Sequence, residues 1–388
     1  MQSDKSRPIR ILHVVGGMNR GGIETWLMHI LRKIDRDRVH MDFLVHTVQP
    51  CAYDDEIFTL GSQIIPCLYP SRPLQYAHHF KQVLQKQNPY DIVHSHVHYF
   101  SGYVLQLAHQ AGVPIRIAHS HLDSTLLEAK AGPYRRLYLA LMKRWITYYA
   151  TLGLACSQQA AIDLFGSTWN TNPHRQILQY GINLAPFHKQ VDSIATRAEF
   201  GIPADAFVVG HIGRFEPQKN HLFLLDIAAE VIQREPNSFF LLVGIGSLHS
   251  IIEQKAKQIG LANRCIFAGS RANVPQLMQG AMDAFLLPSI SEGLGIVLIE
   301  AQAAGLPCIF SDTIPQEADL IQPLIQRLSL TQPAAKWAEV ILAQRRMKFK
   351  IPRSNILEVL EASPFNIEIA VKQLEKLYQT QFFKEVVV

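Results

Sequence analysis

The chain has 388 residues, 48% of them hydrophobic and 18% charged, which excludes a disordered polypeptide and allows two or three domains of ordinary size. No apolar run is as long as a membrane span, and the start "MQSDKSRPIRILHVVGG" lacks the layout of a secretory leader. Residues 1–190 hold 19 Lys/Arg against 12 Asp/Glu and 14 of the 17 histidines, while the remainder holds 18 against 20, so the first part is expected to favour anionic partners.

In chain order, short apolar runs alternate with helical patterns. "IRILHVV", "MDFLVH", "SQIIPCL", "DIVHSH", "IRIAHSH", "LGLACS" and "RQILQYG" read as strands, with "GIETWLMHILRKI", "LQYAHHFKQVLQKQ", "GYVLQLAHQAG" and "YRRLYLALMKRWITYYA" as helices among them. The polar stretch after Tyr180 reads as a linker. Beyond it, "FVVGHIG", "FFLLVGIG", "CIFAG", "AFLLPS" and "PCIFSD" repeat the strand pattern, each followed by a helical one. Apolar strands separated by helices predict parallel sheets covered on both faces. There are too many strands for one ordinary sheet, so the expected fold class is α/β, with two Rossmann-like, doubly wound domains over 1–190 and 191–365. The five cysteines are scattered without metal spacing, which suits a reducing cytoplasm.

The strand ends carry the chemistry. "HVVGGMNRGGIET" places glycines between a strand and a helix, where amides can approach an anion. The loop is not G-x-G-x-x-G, and the second strand ends on His46 and Thr47 rather than an acid, which argues against a dinucleotide enzyme. The same loop also fits an ordinary tight turn. "GHIGRFEPQKNH" puts Arg214 and Lys219 at a strand end, with Asn220 as a helix N-cap, an arrangement suited to a diphosphate or to a solvated loop. "SEGLGIVLIEAQAAG" reads as a helix apolar nearly all round, yet it carries Glu300, eight residues after Glu292. A buried carboxylate is costly without a partner, and its own helix offers no base. The two hydroxyls of a ribose would satisfy it.

His94, His96 and His98 alternate along one strand, a pattern that imitates metal ligands, and "HSH" adds His119 and His121. With no Cys or carboxylate cluster beside them, no metal and no cofactor are expected. Asp35 and Asp37 in "DRD" read as a solvated turn.

Gly213-Arg214 with Lys219-Asn220, "PSISEGLGIVLIEAQAAGLP", "GGIET", "DIVHSHVHYFSG…RIAHSH" and "LLVGIGSL" together resemble the retaining glycosyltransferases of the GT-B fold, family four, over roughly residues 9 to 345. The likeness is nearest to bacterial exopolysaccharide and capsule transferases. It implies two Rossmann-like domains facing a cleft, with a nucleotide-sugar donor on the second and the acceptor on the first. Residues 366–388 would pack back on the first domain. Arg214, Lys219, Gly21 and Gly22 would hold the donor diphosphate and Glu300 the ribose. Glu292, Gly293, Leu294 and Gly295 would hold the donor sugar. His119 and Glu292 would be the catalytic residues, with His121 the alternative to His119.

The expected reaction is retaining, metal-independent transfer from a nucleoside-diphosphate sugar, UDP in the first instance, to a saccharide or lipid-diphosphate-linked saccharide. No nucleic acid is expected as a partner. The basic, aromatic stretch 133–153 suggests an anionic membrane surface at the inner face of the plasma membrane. An epimerase or a non-catalytic subunit on the same fold are the alternatives, though the latter would be expected to have lost Arg214, Lys219 or Glu292.

Overall fold

The computed structural model describes residues 7–86, 89–128, 131–346 and 351–386. It divides into two units, residues 1–181 with 367–388, and residues 182–366. The division differs from the expected boundary at 190/191. The stretch after Tyr180 is polar by composition, yet Ile182, Leu184 and Phe187 are buried in it. Asp192 caps a short helix, Ser193–Ala198, through bonds from the amides of Ile194 and Ala195. The buried Arg197 on that helix bonds the carbonyls of Ala204 and Ala206 and pairs with Asp283 at 2.8 Å. The supposed linker is therefore part of the second unit. The amide of Ile182 bonds the Phe365 carbonyl at 2.7 Å, so this unit begins and ends on adjacent backbone.

In the first unit, seven strands form one parallel sheet: β1 (Ile9–Val15), β2 (Val39–Val45), β3 (Ile64–Pro66), β4 (Ile92–Ser95), β5 (Ile115–Ser120), β6 (Leu152–Ala155) and β7 (Arg175–Ile177). Their order is β3-β2-β1-β4-β5-β6-β7. The central strands are buried on both faces, which is why they read as unbroken apolar runs. The last helix, Ile367–Val386, belongs to this unit, with Tyr378 buried against the sheet.

The second unit has six parallel strands: β8 (Phe207–Ile212), β9 (Ser238–Val243), β10 (Cys265–Gly269), β11 (Ala284–Leu287), β12 (Cys308–Ser311) and β13 (Ile325–Leu328), in the order β10-β9-β8-β11-β12-β13. The strand β13, "IQRL", was not expected. It is a half-buried partner of β12, and only that pairing identifies it. In each unit the strand order reverses beside the first strand, between β1 and β4 and between β8 and β11. Ligand sites of doubly wound sheets lie outside the carboxyl ends of the strands at such a reversal.

Candidate functional site

At the carboxyl end of β8 the loop Gly213–Asn220 is held by the glycine loop that follows β9. Gly213 and Phe215 donate to the carbonyls of Val243 and Ile245 at 3.0 and 2.9 Å. A side chain on Gly244 would run into the Gly213 carbonyl, and its φ of 143° also favours glycine. Arg214 emerges exposed. Lys219 ends a single 3-10 turn, Pro217–Lys219. Asn220 occupies the cap position of the helix His221–Arg234, but not as a side-chain cap: its backbone is left-handed, φ 56°, and its side chain makes no capping bond. The Asn tolerates that conformation and turns the chain instead.

The loop after β11 carries the two glutamates. Lys219 Nζ donates to Glu292 Oε1 at 2.5 Å, and Ser289 Oγ donates to the same oxygen at 2.6 Å. Both charged side chains are nearly buried. Gly293, Leu294 and Gly295 are buried beyond them. Gly295, at φ 79° and ψ 46°, is the cap of the helix Ile296–Ala303, a left-handed position that a side chain would strain. The first amides of that helix have no preceding turn to bond into.

Glu300 lies in the second turn. Among the described residues its carboxylate has no hydrogen bond and no ion pair. Burial alone raises it from the usual carboxyl range to about 7. The two glutamates thus differ: Glu292 is paired with Lys219, and Glu300, half-buried, has no partner among the described residues.

The helix is fixed by its far side. Gln302 donates to the Ala318 carbonyl at 2.7 Å and accepts from the amides of Leu320 and Ile321 at 3.1 and 2.8 Å. This ties down "TIPQEADLIQP", whose Asp319 and Ile314 carbonyl are also held by Arg327. The sequence reading missed Ser289, Gln302 and His211. His211 is buried at the end of β8, bonded to the Leu286 carbonyl at 2.9 Å, with burial pushing it down to about 4. A polar residue inside an apolar strand, "FVVGHIG", was the available signal.

In the first unit, Gly21 precedes the helix Gly22–Lys33 with extended backbone, φ −137°. The carboxylate of Glu24 folds against Gly21, so the acidic group at this helix N-terminus is the helix's own. Asp35 accepts from the Asp37 amide and pairs with Arg38, a local turn. The histidines follow the strands, but not as the alternation predicted. His94 and His96 lie with His13, His119 and His121 in one buried cluster. His98 instead stands in a 3-10 turn and bonds Ser124 and Asp163, because β4 ends at Ser95 and alternation stops there. Inside the cluster, His94 Nε2 and His119 Nδ1 are 3.1 Å apart, and His94 Nδ1 lies 2.8 Å from the Tyr378 hydroxyl. Burial first, then the neighbouring histidines, holds His94, His96 and His119 well below the usual histidine value. These rings are neutral at pH 7. His13, Tyr180 and Tyr378 were not singled out from the sequence, since they lie far along the chain from the "HSH" motifs.

The stretch 133–153 is a helix over Pro133–Tyr149 with two faces. Leu139, Met142 and Ile146 are buried, and the helix Ser101–Gln110 approaches so closely at Gly102 that a side chain there would strike the Met142 backbone. Tyr134, Leu137, Leu141 and Tyr148 are exposed, Tyr134 by 89% and Leu137 by 71%. The expected basic stripe is narrower. Arg135 pairs with Glu128, and Lys143 turns to Asp163 and the Tyr99 ring, while Arg136 and Arg144 are exposed. No described helix is long and apolar enough to cross a membrane.

The model of the family described as "Glycosyl transferase 4-like domain" matches residues 21–175, and that of "Glycosyl transferases group 1" matches residues 192–343. A Bacillus subtilis (strain 168) protein named glycosyltransferase EpsF is 37% identical over 381 residues, 97% of this chain and 98% of that protein. The UDP-Gal:alpha-D-GlcNAc-diphosphoundecaprenol alpha-1,3-galactosyltransferase of Escherichia coli is 28% identical over 240 residues, 59% of each chain. The crystal structure of Anabaena HepE in complex with UDP and glucose shares the fold, with a TM-score of 0.80 at 22% identity, covering 96% of this chain and all of that one.

Proposed function

The chain belongs to the group 1 glycosyltransferases, with the GT-B fold, and from that premise we propose that it transfers a hexose-type sugar from UDP to a saccharide hydroxyl, with retention at the anomeric carbon and no catalytic metal. The observation that carries this reading is the half-buried, unpartnered carboxylate of Glu300, on the helix that follows the Lys219–Glu292 pair. A ribose supplies the two hydroxyl donors that such a carboxylate accepts.

In this reading an incoming diphosphate competes with Glu292 for Lys219. Arg214, Lys219 and the amides at Gly295 and after it stabilise the charge that develops on the leaving diphosphate. Glu292, released from Lys219, accepts from hydroxyls of the donor sugar beside Gly293 and Leu294. No carboxylate is assigned as a nucleophile under the sugar, so the acceptor attacks on the face the diphosphate leaves. His119, neutral in its buried setting, orients a sugar hydroxyl by accepting or donating one hydrogen bond. Gly21 and Gly22 reach phosphate only if Glu24 moves off Gly21.

The acceptor in this reading is lipid-linked, and the product is a cell-surface polysaccharide such as an exopolysaccharide. Three features support it. The Escherichia coli relative is named for a diphosphoundecaprenol-linked acceptor. The first part of the chain carries the excess positive charge. The helix Pro133–Tyr149 exposes aromatic and aliphatic side chains beside Arg136 and Arg144, a surface that fits the headgroup layer of an anionic inner membrane face.

The test is a transfer assay with UDP-hexoses and a lipid-diphosphate saccharide in EDTA, with the product anomer read by NMR. An α-linked product from an α-linked donor is expected. Interconversion of the UDP-sugar without acceptor would identify an epimerase instead, and activity lost in EDTA and restored by Mn²⁺ would overturn metal independence.

A further inference from the structure

The buried histidines of the first unit are arranged as ligands with their supports. His96 follows β4, and His119 and His121 lie at the end of β5, so all three sit at the carboxyl ends of adjacent parallel strands. One ring nitrogen from each comes within 4.8 Å of the others, and His13, His94 and His96 form a second such group sharing His96.

The hydrogen bonds of the three rings sort their nitrogens into two kinds. His96 Nε2 is 2.9 Å from His13 Nδ1, His119 Nδ1 is 3.1 Å from His94 Nε2, and His121 Nδ1 bonds the Tyr180 hydroxyl. Each ring therefore has one nitrogen held by a supporting partner outside the trio. The other nitrogens are His96 Nδ1, His121 Nε2 and His119 Nε2. The first two face each other at 2.7 Å, and His119 Nε2 is buried with no partner at all.

Without an ion the 2.7 Å contact carries one proton, His121 donating from Nε2 to His96 and accepting at Nδ1 from Tyr180; the set of tautomers that frees all three nitrogens belongs to the ion-bound form. In that form His96 donates from Nε2 to His13, His119 donates from Nδ1 to His94, His94 donates from Nδ1 to Tyr378, and His121 donates from Nδ1 to Tyr180. Three lone pairs are then left on one side of the cluster. A ligating histidine fixed through its second nitrogen is the usual build of a metal centre.

We propose that His96, His119 and His121 form a binding site for a borderline divalent cation such as Zn²⁺, with a water or a substrate oxygen in the fourth position. Three imidazoles suit Zn²⁺, Co²⁺, Ni²⁺ or Cu²⁺ and disfavour Mg²⁺ and Ca²⁺, which take oxygen ligands. At Zn–N distances of about 2.0–2.1 Å, tetrahedral ligand nitrogens stand roughly 3.3 Å apart. The 2.7 Å His96–His121 contact therefore opens by a fraction of an ångström as the ion enters between them. His121 is the one ligand that is not fully buried, which gives the ion its way in. An ion on His119 Nε2 takes the nitrogen that would otherwise meet a sugar hydroxyl, so the site excludes that role of His119, and it stands whether or not the donor assignment does.

The experiment uses the full chain, stripped with a chelator and titrated with Co²⁺. One Co²⁺ per chain is expected, with visible bands of four-coordinate intensity, displaced by Zn²⁺ and indifferent to Mg²⁺. His121→Gln and His96→Gln should weaken binding at least a hundredfold and remove the bands. Tyr180→Phe, which touches only the support of His121, should weaken it about tenfold. His98→Gln should bind as the wild type does. Far-UV circular dichroism and melting of the metal-free variants separate lost ligation from lost folding, and the partly exposed His121 carries the test if His96→Gln does not fold. No stoichiometric Co²⁺ uptake by the wild type, or uptake unchanged in folded His121→Gln, would overturn the site.

Discussion

The carboxyl ends of the two sheets solve the same problem in different ways. Both place polar side chains where strands emerge from an apolar core. In the first unit the buried groups are histidines, which escape the cost of desolvation by staying neutral and bonding one another and two tyrosines. In the second unit, apart from the neutral His211, they are ions. Lys219 and Glu292 satisfy each other, and Glu300 is left without a partner. The neutral network nearly closes without ligand, leaving over His13 Nε2 and His119 Nε2, whereas a carboxylate with nothing to accept from holds a place for one. In the proposed reading the difference assigns donor recognition to the second unit and leaves the first to a sugar hydroxyl or a metal ion.

The sharpest way to break the comparison is to remove the cations. Arg214→Ala or Lys219→Ala should cut turnover about a hundredfold or more, the scale of losing one preorganised charge partner. Lys219→Ala should also leave Glu292 with only Ser289. Activity within twofold of wild type in both variants would remove the diphosphate assignment. Next in size is the pair of glutamates. Glu300→Gln should weaken UDP itself by roughly tenfold or more, the scale of hydrogen bonds to a charged group. Glu292→Gln should spare UDP and slow transfer. Calorimetry with UDP on both variants separates them, and the reverse pattern would mean their roles are exchanged.

The first unit is sharpened by its exposed helix. Wild-type protein should sediment with anionic liposomes and be released by salt. Each basic residue near such a surface contributes about 1 kcal/mol, so replacing the exposed Arg144 by Gln (Arg144→Gln) should lower liposome affinity about fivefold. Arg135→Gln and Lys143→Gln should do less, because Glu128, and Asp163 with the Tyr99 ring, already engage them. Equal effects at Arg135, Lys143 and Arg144 would argue against the face defined by Tyr134, Leu137, Leu141 and Tyr148. No binding to anionic liposomes at low salt would point to a soluble acceptor.

Much of this was legible in the chain. Continuous apolar strands, glycine turns and helical periods specify two parallel sheets because local pattern and burial agree. Glu300 stood out for the opposite reason, as a charge inside an apolar period. The unit boundary was not legible. Ile182, Leu184 and Phe187 are spaced irregularly among polar residues, and only tertiary contact shows them buried. The strand β13 hid for a related reason, since "IQRL" has neither a continuous nor a cleanly alternating pattern. The histidine cluster was half legible. The "HSH" pairs were visible, but His13, Tyr180 and Tyr378 join them through sheet order, and His98 leaves because the strand ends before it.

The smallest effect tests the comparison from the side of stability. Burial raises the Glu300 carboxyl to about 7, against about 4.3 in an unfolded chain. Below the unfolded value both states hold the proton and the group is silent. Between the two values the unfolded chain releases the proton and the folded chain keeps it, so stability falls as pH rises. Above about 7 the whole penalty is present. Glu300→Gln removes that titration. It should leave the melting temperature nearly unchanged at pH 4 and raise it by a few degrees at pH 8, both without ligand. Saturating UDP should then reverse the order at pH 8, because the wild type gains the ribose bond that the variant weakens. A residue kept at a cost to the empty protein and regained on binding is the signature of a ligand contact rather than a core contact. A Glu300→Gln variant less stable than wild type at pH 8 would mean that the carboxylate already has a partner in the folded chain, and the ribose assignment would fall with it.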